Sequence, residues 1–150
     1  MECRERAAIA ARAGSVALAL AVALLAAPAQ QGISIVDTRS PQEYAGVGGK
    51  EWQQSTGHIE GARRIDSEEF FADDSEFTIR ETAVLQLLMR QRANPGDTVI
   101  FYCMVGYRSS TGFFVARLLG YQAMLYDGSY EDWFSAHYPT VTWPTPLIVP

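Results

Sequence analysis

One stretch of the chain, residues 99–119, constrains the fold more than any other. It begins with a short β-branched and aromatic run, Val99–Tyr102, which is typical of a strand buried on both faces. It ends with an apolar segment of helical length, closed by Gly120, a residue suited to the left-handed position after a helix. The stretch therefore predicts a strand–loop–helix unit with residues 103–108 in the loop.

The predicted loop has Cys103 at its start and Arg108 at its end. Gly106 allows the backbone to turn, and either Ser109 or Ser110 is available to cap the helix. Such a loop directs backbone N–H groups and the positive end of the helix dipole at one point. Because that point is the sulfur of Cys103, we expect the thiolate, which is the nucleophilic form. The simpler alternative is an inert cysteine that fills the core.

Strand and helix patterns alternate along the rest of the chain. The predicted elements are a strand at 33–36, a helix opened by a Ser40–Glu43 capping box, a strand at 63–65, a helix behind a second capping box at 78–81, the strand at 98–102 and its helix, a strand at 123–126 and a short helix at 130–136. This alternation predicts an α/β fold with a mainly parallel sheet of about five strands and helices on both faces. Ligands of such sheets bind at the carboxyl ends of strands, where Cys103 stands.

The second predicted helix has an apolar face. Val84, Leu87, Leu88 and Gln91 fall on that face at helical spacing, which is typical of the packed side of an amphipathic helix.

The first 29 residues are typical of an export signal. Its basic start consists of Arg4, Arg6 and Arg12. An apolar run at 13–27 and the small residues Ala27-Pro28-Ala29 follow. We therefore expect export to the periplasm with cleavage after Ala29, leaving a domain at 30–136 and a proline-rich, irregular tail at 137–150. The alternatives are an uncleaved membrane anchor and an Ala-rich helix that packs on the domain.

Charge and cysteine content narrow the function. The 150-residue chain carries a formal net charge of −5, which disfavours binding to nucleic acid or to an anionic membrane surface. Cleavage after Ala29 removes Cys3 and leaves Cys103 as the only cysteine. In an oxidising compartment an unpaired cysteine belongs to no internal disulfide, so it is either buried and inert or present to react.

Separate motifs together resemble the rhodanese (sulfurtransferase) family across most of residues 33–133. They are Asp37-Thr38-Arg39 followed by Ser40-Pro41-x-Glu43-Tyr44, then Gly57-His58-Ile59-Glu60-Gly61-Ala62, then Cys103-x-x-Gly106-x-Arg108, and finally Tyr126-Asp127-Gly128-Ser129-x-x-x-Trp133. Three departures stand out. Glu60 replaces the usual proline, and Tyr130 lies where a tryptophan or phenylalanine is more usual. The loop residues Met104 and Val105 are neutral, where members that favour thiosulfate often carry basic residues.

The resemblance implies a two-step sulfur transfer with no metal and no organic cofactor. The Cys103 thiolate takes the outer sulfur of a small anionic donor such as thiosulfate, becomes a persulfide, and passes the sulfur to cyanide, a thiol or a protein cysteine. The implied substrate-binding residues are Met104, Val105, Gly106, Tyr107, Arg108 and Ser109. Their N–H groups would cradle the negative persulfide sulfur, and Arg108 would either attract the donor or brace the loop.

Other polar and aromatic residues receive structural roles. Asp37 and Arg39 are expected to form an ion pair near the site, and His58 to hold its turn by hydrogen bonds rather than act as a base. Trp52 is expected either to line the mouth of the site or to lie on the surface, and Trp133 to lie in the core. His137 is assigned no role.

Two rival functions remain open. A cysteine phosphatase or arsenate reductase also uses a thiolate in a loop that ends in arginine, but it has five residues between them and usually a histidine before the cysteine. Here Met104–Tyr107 provide four, and Tyr102 precedes the cysteine. The other rival is a non-catalytic binding module, or a persulfide carrier or sensor, because fold alone does not determine function.

Overall fold

The computed structural model describes residue 21 and residues 32–47, 57–73 and 78–142. The strands are β1 (Ile33–Asp37), β2 (His58–Ile59), β3 (Arg63–Arg64), β4 (Thr98–Tyr102), β5 (Gln122–Leu125) and β6 (Thr140–Val141). The helices are α1 (Pro41–Ala45), α2 (Thr82–Arg92), α3 (Tyr107–Leu118) and α4 (Ser129–Ser135), with a 3-10 turn at Ser67–Phe70.

The main sheet has the strand order β3-β1-β4-β5, and every pair in it is parallel. The predicted α/β fold with a mainly parallel sheet is therefore confirmed. The sheet has four strands rather than about five, and β2 pairs with β6 in a separate antiparallel sheet. The carboxyl end of the central strand β4 leads directly to Cys103, so the cysteine stands where parallel sheets bind ligands.

Two apolar clusters cover the two faces of this sheet. Successive residues of a strand point to opposite faces. Accordingly, Ile100 and Tyr102 pack with α4, and Val99 and Phe101 pack with α2, α3 and the 3-10 turn. Trp133 of α4 lies in the first cluster and is buried, which confirms its predicted place in the core.

The predicted capping box at Ser40 is present. The Ser40 hydroxyl accepts a hydrogen bond from the Glu43 N–H, and the Glu43 carboxylate accepts one from the Ser40 N–H. The predicted second box at 78–81 is wrong, because the N-cap of α2 is Glu81 and its side chain makes no capping hydrogen bond.

The predicted packing face of α2 is also wrong, except at Leu88, which is partly buried against the apolar cluster. Leu85 and Met89 are buried, whereas Val84 is 45% and Leu87 61% exposed. This helix carries apolar residues on more than one side, so the periodicity of the sequence alone does not determine which side faces the sheet. The contacts of Leu85 and Met89 with the β4 side chains decide it.

The irregular tail predicted after Ala136 is wrong in its first part. Thr140–Val141 form β6 against β2, and the carbonyl oxygen of Pro139 accepts a hydrogen bond of 2.9 Å from Trp133 Nε1. The remaining prolines of the predicted tail lie outside the described residues. The domain therefore includes residues up to about 142.

The predicted signal segment is described at a single position. Ala21 is buried in the cluster that contains Ile35 and Trp133. Within the described part of the chain, no helix combines the length and apolar character that crossing a membrane requires.

Candidate active site

Cys103 is buried, yet its sulfur has directed polar partners. The backbone N–H of Gly106 lies 3.1 Å from Sγ. Burial by itself raises the pKa of the Cys103 thiol, but hydrogen bonds from Ser109, Val105 and Arg108 outweigh it and lower that pKa below its ordinary value. An inert core cysteine has no such set of donors. The arrangement therefore favours the expected thiolate.

The tight loop depends on the conformation of Gly106. Its φ is +89°, and a Cβ at this position would lie 2.9 Å from Asp127 Oδ1 and 3.0 Å from the Asp127 carbonyl oxygen. The helix α3 begins directly after it, so the predicted caps at Ser109 and Ser110 are wrong. Both hydroxyls instead donate to carbonyl oxygens three residues earlier, Ser109 to Gly106 at 2.9 Å and Ser110 to Tyr107 at 2.7 Å.

The first residues of α4 hold the other side of the loop. Ser129 Oγ accepts a hydrogen bond of 3.3 Å from the Cys103 N–H. The N–H groups of Tyr130 and Glu131 donate to the carbonyl oxygens of Cys103 and Met104, each at 3.0 Å. Sequence reasoning missed this role of Ser129, although it lies in the closing motif that marked the family. The only sequence signal for this role of Ser129 was its position within that motif.

Arg108 braces the loop against the start of α1. Its Nη1 and Nη2 atoms each lie 2.7 Å from one carboxylate oxygen of Glu43. Burial opposes ionisation of Glu43, but hydrogen bonds from Arg108 and Ser40 lower its pKa to about 2. The same pairing, against the smaller effect of burial, raises the pKa of Arg108. Of the two roles that the resemblance implies for this arginine, the geometry supports the brace.

A second ion pair lies under the site. Arg39 Nη2 is 2.7 Å from Asp37 Oδ2, both side chains are fully buried, and Nη2 also donates to the Gly57 carbonyl oxygen at 2.7 Å. The Arg39 guanidinium carbon stands 3.8 Å from the centroid of the Tyr130 ring. Burial lowers the pKa of Arg39, but Asp37 outweighs it and raises that pKa. The predicted ion pair is thus present, and it joins β1 to the second sheet and to α4.

His58 makes a hydrogen bond of the kind expected to hold its turn. Its Nδ1 lies 2.8 Å from the Tyr44 carbonyl oxygen, and its ring stacks on Tyr44 with a centroid distance of 3.6 Å. Burial, which outweighs the hydrogen bond to Tyr44, lowers the pKa of His58, so the ring is neutral near pH 7. Trp52 lies outside the described residues. His137 is exposed and lies in the left-handed region, with φ +56°.

The remaining loop side chains divide into two groups. Met104 is half-buried against the apolar cluster that includes Tyr102, whereas Val105 is 55% and Tyr107 82% exposed. The loop thus presents an apolar and aromatic surface to solvent. Across the described ranges, no three His, Cys, Asp or Glu side chains are grouped so that they could hold a metal ion.

Comparison with known proteins identifies the family. The family model described as the rhodanese-like domain matches residues 20–136. The chain belongs to the rhodanese-like family. The resemblance inferred from the separate motifs is confirmed.

Curated relatives of this rhodanese-like chain include sulfurtransferases. The putative thiosulfate sulfurtransferase of Haloferax volcanii is 37% identical, with 69% of this chain and 38% of the relative covered. The thiosulfate sulfurtransferase of Corynebacterium glutamicum is 34% identical, with 68% and 36% covered. The sulfur carrier protein TtuD of Thermus thermophilus is 35% identical, with 67% and 38% covered. The chain therefore spans less than half the length of these relatives.

Solved structures give the same fold. The ergothioneine biosynthesis enzyme of Chlorobium limicola matches with a TM-score of 0.70 and 26% identity, covering 83% of this chain and 31% of that one. A structure of the enzyme EanB that carries a cysteine persulfide matches equally well, with a TM-score of 0.70 and 26% identity over 83% of this chain and 31% of that one. A probable thiosulfate sulfurtransferase matches with a TM-score of 0.58 and 31% identity, covering 75% and 44%.

Proposed function

We propose that this rhodanese-like protein is a sulfurtransferase that works through a persulfide on Cys103. The observation that carries the proposal is the Gly106 N–H at 3.1 Å from Sγ, together with the lowered pKa of the thiol. A pre-formed thiolate needs no neighbouring base, which agrees with the structural role of His58.

The proposed reaction has two balanced steps. The Cys103 thiolate attacks the outer sulfur of a donor such as thiosulfate, the new S–S bond forms as the donor's own S–S bond breaks, and the electron pair leaves with sulfite. A thiophilic acceptor, such as cyanide, a thiol or a protein cysteine, then attacks the terminal sulfur and releases the thiolate. No metal and no organic cofactor enters either step.

The loop suits the intermediate as well as the free thiolate. The terminal persulfide sulfur carries negative charge, and the N–H groups that follow Cys103 supply donors toward it without any movement of a side chain. The relatives' names and the cysteine persulfide in the similar EanB structure support the same chemistry.

The test is intact mass of the purified protein before and after thiosulfate, and again after cyanide. We expect a gain of one sulfur on Cys103 that cyanide removes, with thiocyanate released. The control is Cys103→Ser, which should gain no sulfur and release no thiocyanate. Thiocyanate release by that variant would contradict the mechanism.

A second candidate is a persulfide carrier, and the similarity to the sulfur carrier protein TtuD favours it. A carrier accepts sulfur once and passes it to a specific partner, so it shows loading without rapid turnover to small acceptors. Repeated release of thiocyanate over many cycles per Cys103 favours the enzyme, whereas a single loading that is stable to cyanide and thiols favours the carrier.

We also propose export to the periplasm with cleavage after Ala29. The first 29 residues support this, because a basic start is followed by an apolar run and then by small residues. The alternative is retention of the segment, in which case Ala21 stays buried among the residues of the apolar cluster. N-terminal sequencing of the protein from the periplasmic fraction decides between them. A mature start at Gln30 supports export, and a start at Met1 on a protein that remains in the cytoplasm overturns it.

A further inference from the structure

One side of α3 carries large apolar side chains that are open to solvent. Tyr107, Phe114 and Leu118 are 82%, 56% and 59% exposed. Together with the half-buried Thr111 they follow one another at steps of four, three and four residues, so they form a single stripe along the helix. We call these four residues the α3 stripe. The helix packs on the sheet with a different side, formed by Ser109, Gly112, Val115 and Ala116.

The two ends of the α3 stripe differ in shape. A cavity of about 480 Å³ opens at its amino-terminal end, where Tyr107 and Thr111 line it together with Phe71. The carboxyl-terminal end instead carries the exposed side chain of Leu118. At a rise of about 1.5 Å per residue, the two ends are roughly 16 Å apart along the helix. The same helix side thus has an apolar recess at one end and an exposed apolar side chain at the other.

The two ends of the stripe also differ in charge. Glu68 lines the cavity at the amino-terminal end and is exposed. Arg117 lies beside Leu118 in the last turn of α3 and is also exposed. Neither side chain has an ion-pair partner among the described residues. The acidic end and the basic end of the stripe therefore each lack a counter-charge.

This arrangement fits a second copy of the same chain. Two copies related by a two-fold axis present the same surface to each other, so every contact between them occurs twice. When two stripes pack antiparallel, Leu118 of each copy meets the cavity of the other. Arg117 of each copy then meets Glu68 of the other. A parallel pair would instead place like charges together.

We propose that the α3 stripe is a homodimer interface in which two copies pack antiparallel about a two-fold axis. One helix side covers less than the ~800 Å² per partner of a standard interface, so the dimer is weak. This inference does not depend on the chemistry at Cys103, and it stands or falls separately from the proposed sulfur transfer.

Sedimentation velocity of the full chain between about 5 and 500 µM tests the proposal, because this range brackets weak association. We expect the average sedimentation coefficient to rise with concentration. Phe114→Glu puts a charge in the middle of the stripe and should weaken the dimer at least about thirtyfold. Met124→Glu is the matched control, since Met124 is 41% exposed and pairs with Ile100, on the side of the sheet that faces α4. It should change the dissociation constant less than about twofold.

A charge exchange tests the antiparallel orientation. Glu68→Arg alone, or Arg117→Glu alone, replaces an attraction by a repulsion at both ends of the dimer. Each single variant should therefore weaken the dimer about tenfold, the sum of two exposed charge contacts. The double variant exchanges the two charges and restores both attractions. Its dissociation constant should return to within about twofold of the wild-type value.

The outcomes decide each part of the proposal. A chain that stays monomeric at the highest concentration would overturn it. A dimer that survives Phe114→Glu would also overturn it, because the interface would then lie elsewhere. A double charge variant that associates no better than the single variants would overturn the antiparallel pairing of Glu68 with Arg117.

Discussion

Arg108 and Glu43, which lie 65 positions apart in the chain, form a two-pronged ion pair in which each guanidinium Nη is 2.7 Å from one carboxylate oxygen. Paired hydrogen bonds between charged groups are among the strongest polar contacts and also restrict orientation. The pair ties the end of the cysteine loop to the first turn of α1. The geometry of this pair therefore favours a bracing role for the loop's arginine over attraction of a donor.

Glu43→Gln should destabilise the protein, because it leaves the Arg108 guanidinium without its counter-charge. We expect the free energy of unfolding at pH 7 to fall by about 2 kcal/mol. Urea denaturation measures the change. Glu60→Gln is the matched control, since it makes the same chemical change at an exposed glutamate, and it should alter the free energy by less than about 0.5 kcal/mol.

The same variant gives a test of pH dependence. The pKa of Glu43 is about 2 in the folded protein, below its ordinary 4.5. Its carboxylate therefore contributes stability that is fully present above pH 4.5 and is lost as the pH falls toward 2. We expect the stability difference between the wild type and Glu43→Gln to shrink from pH 6 to pH 2. A constant difference would contradict the ion-pair assignment.

Ser109→Ala should raise the pKa of the Cys103 thiol. Burial opposes ionisation of this thiol. The hydrogen bond from the Ser109 backbone is the largest of those that lower the pKa and is kept in the variant, whereas the one from the Ser109 side chain, which comes next, is lost. The pH profile of Cys103 alkylation by iodoacetamide should therefore move to higher pH in the variant. Ser110→Ala is the control, because its hydroxyl is exposed and donates to the Tyr107 carbonyl oxygen. A profile that moves equally in both variants would show that loop distortion, not the Ser109 hydrogen bond, is responsible.

The parts of the site that depend on neighbours in the chain could be predicted from sequence. The loop between β4 and α3, the capping box at Ser40 and the ion pair of Asp37 with Arg39 are each encoded within a few residues. Local patterns suffice there, because turn residues, caps and charges act over one helical turn or less.

The contacts that close the site over long distances could not be predicted. Nothing near Glu43 or Arg108 indicates that they meet, and the hydrogen bond from Cys103 to Ser129 joins residues 26 positions apart. The same reason explains the wrong face of α2, since the apolar side chains of β4 select Leu85 from several apolar candidates. Where several local arrangements are equally favourable, tertiary packing determines which of them the chain adopts.

Gly106→Ala should disable the loop. Its φ of +89° is unfavourable for alanine, and the added Cβ would approach Asp127 to 2.9 Å. We expect sulfur loading of Cys103 to fall at least about tenfold, because misplacement of donors by 1 Å costs that much or more. Gly120→Ala is the control, since it has a similar φ of +85° but open space around the Cβ. It should lose about 1 kcal/mol of stability from backbone strain and keep its loading rate. Equal loss of loading in both variants would show that strain alone, not the contact with Asp127, is the cause.

The last prediction concerns the buried ion pair of Asp37 and Arg39. It compares variants that remove one charge of the pair with a variant that removes both. Asp37→Asn leaves a fully buried guanidinium without its counter-charge, so we expect a loss of about 3–5 kcal/mol in the free energy of unfolding. Arg39→Met leaves the carboxylate in the same position and should cost a similar amount. In the double variant neither charge is buried, and its loss should be well below the sum of the two single losses.

Full recovery is not expected from the double variant, because Arg39 also donates to the Gly57 carbonyl oxygen and lies 3.8 Å from the Tyr130 ring centroid. These contacts connect β1 to the second sheet and to α4, whose first residues hold the Cys103 and Met104 carbonyl oxygens. The double variant should therefore remain less stable than the wild type. Urea denaturation of the four proteins gives the coupling energy, and losses that simply add would contradict a mutually compensating pair.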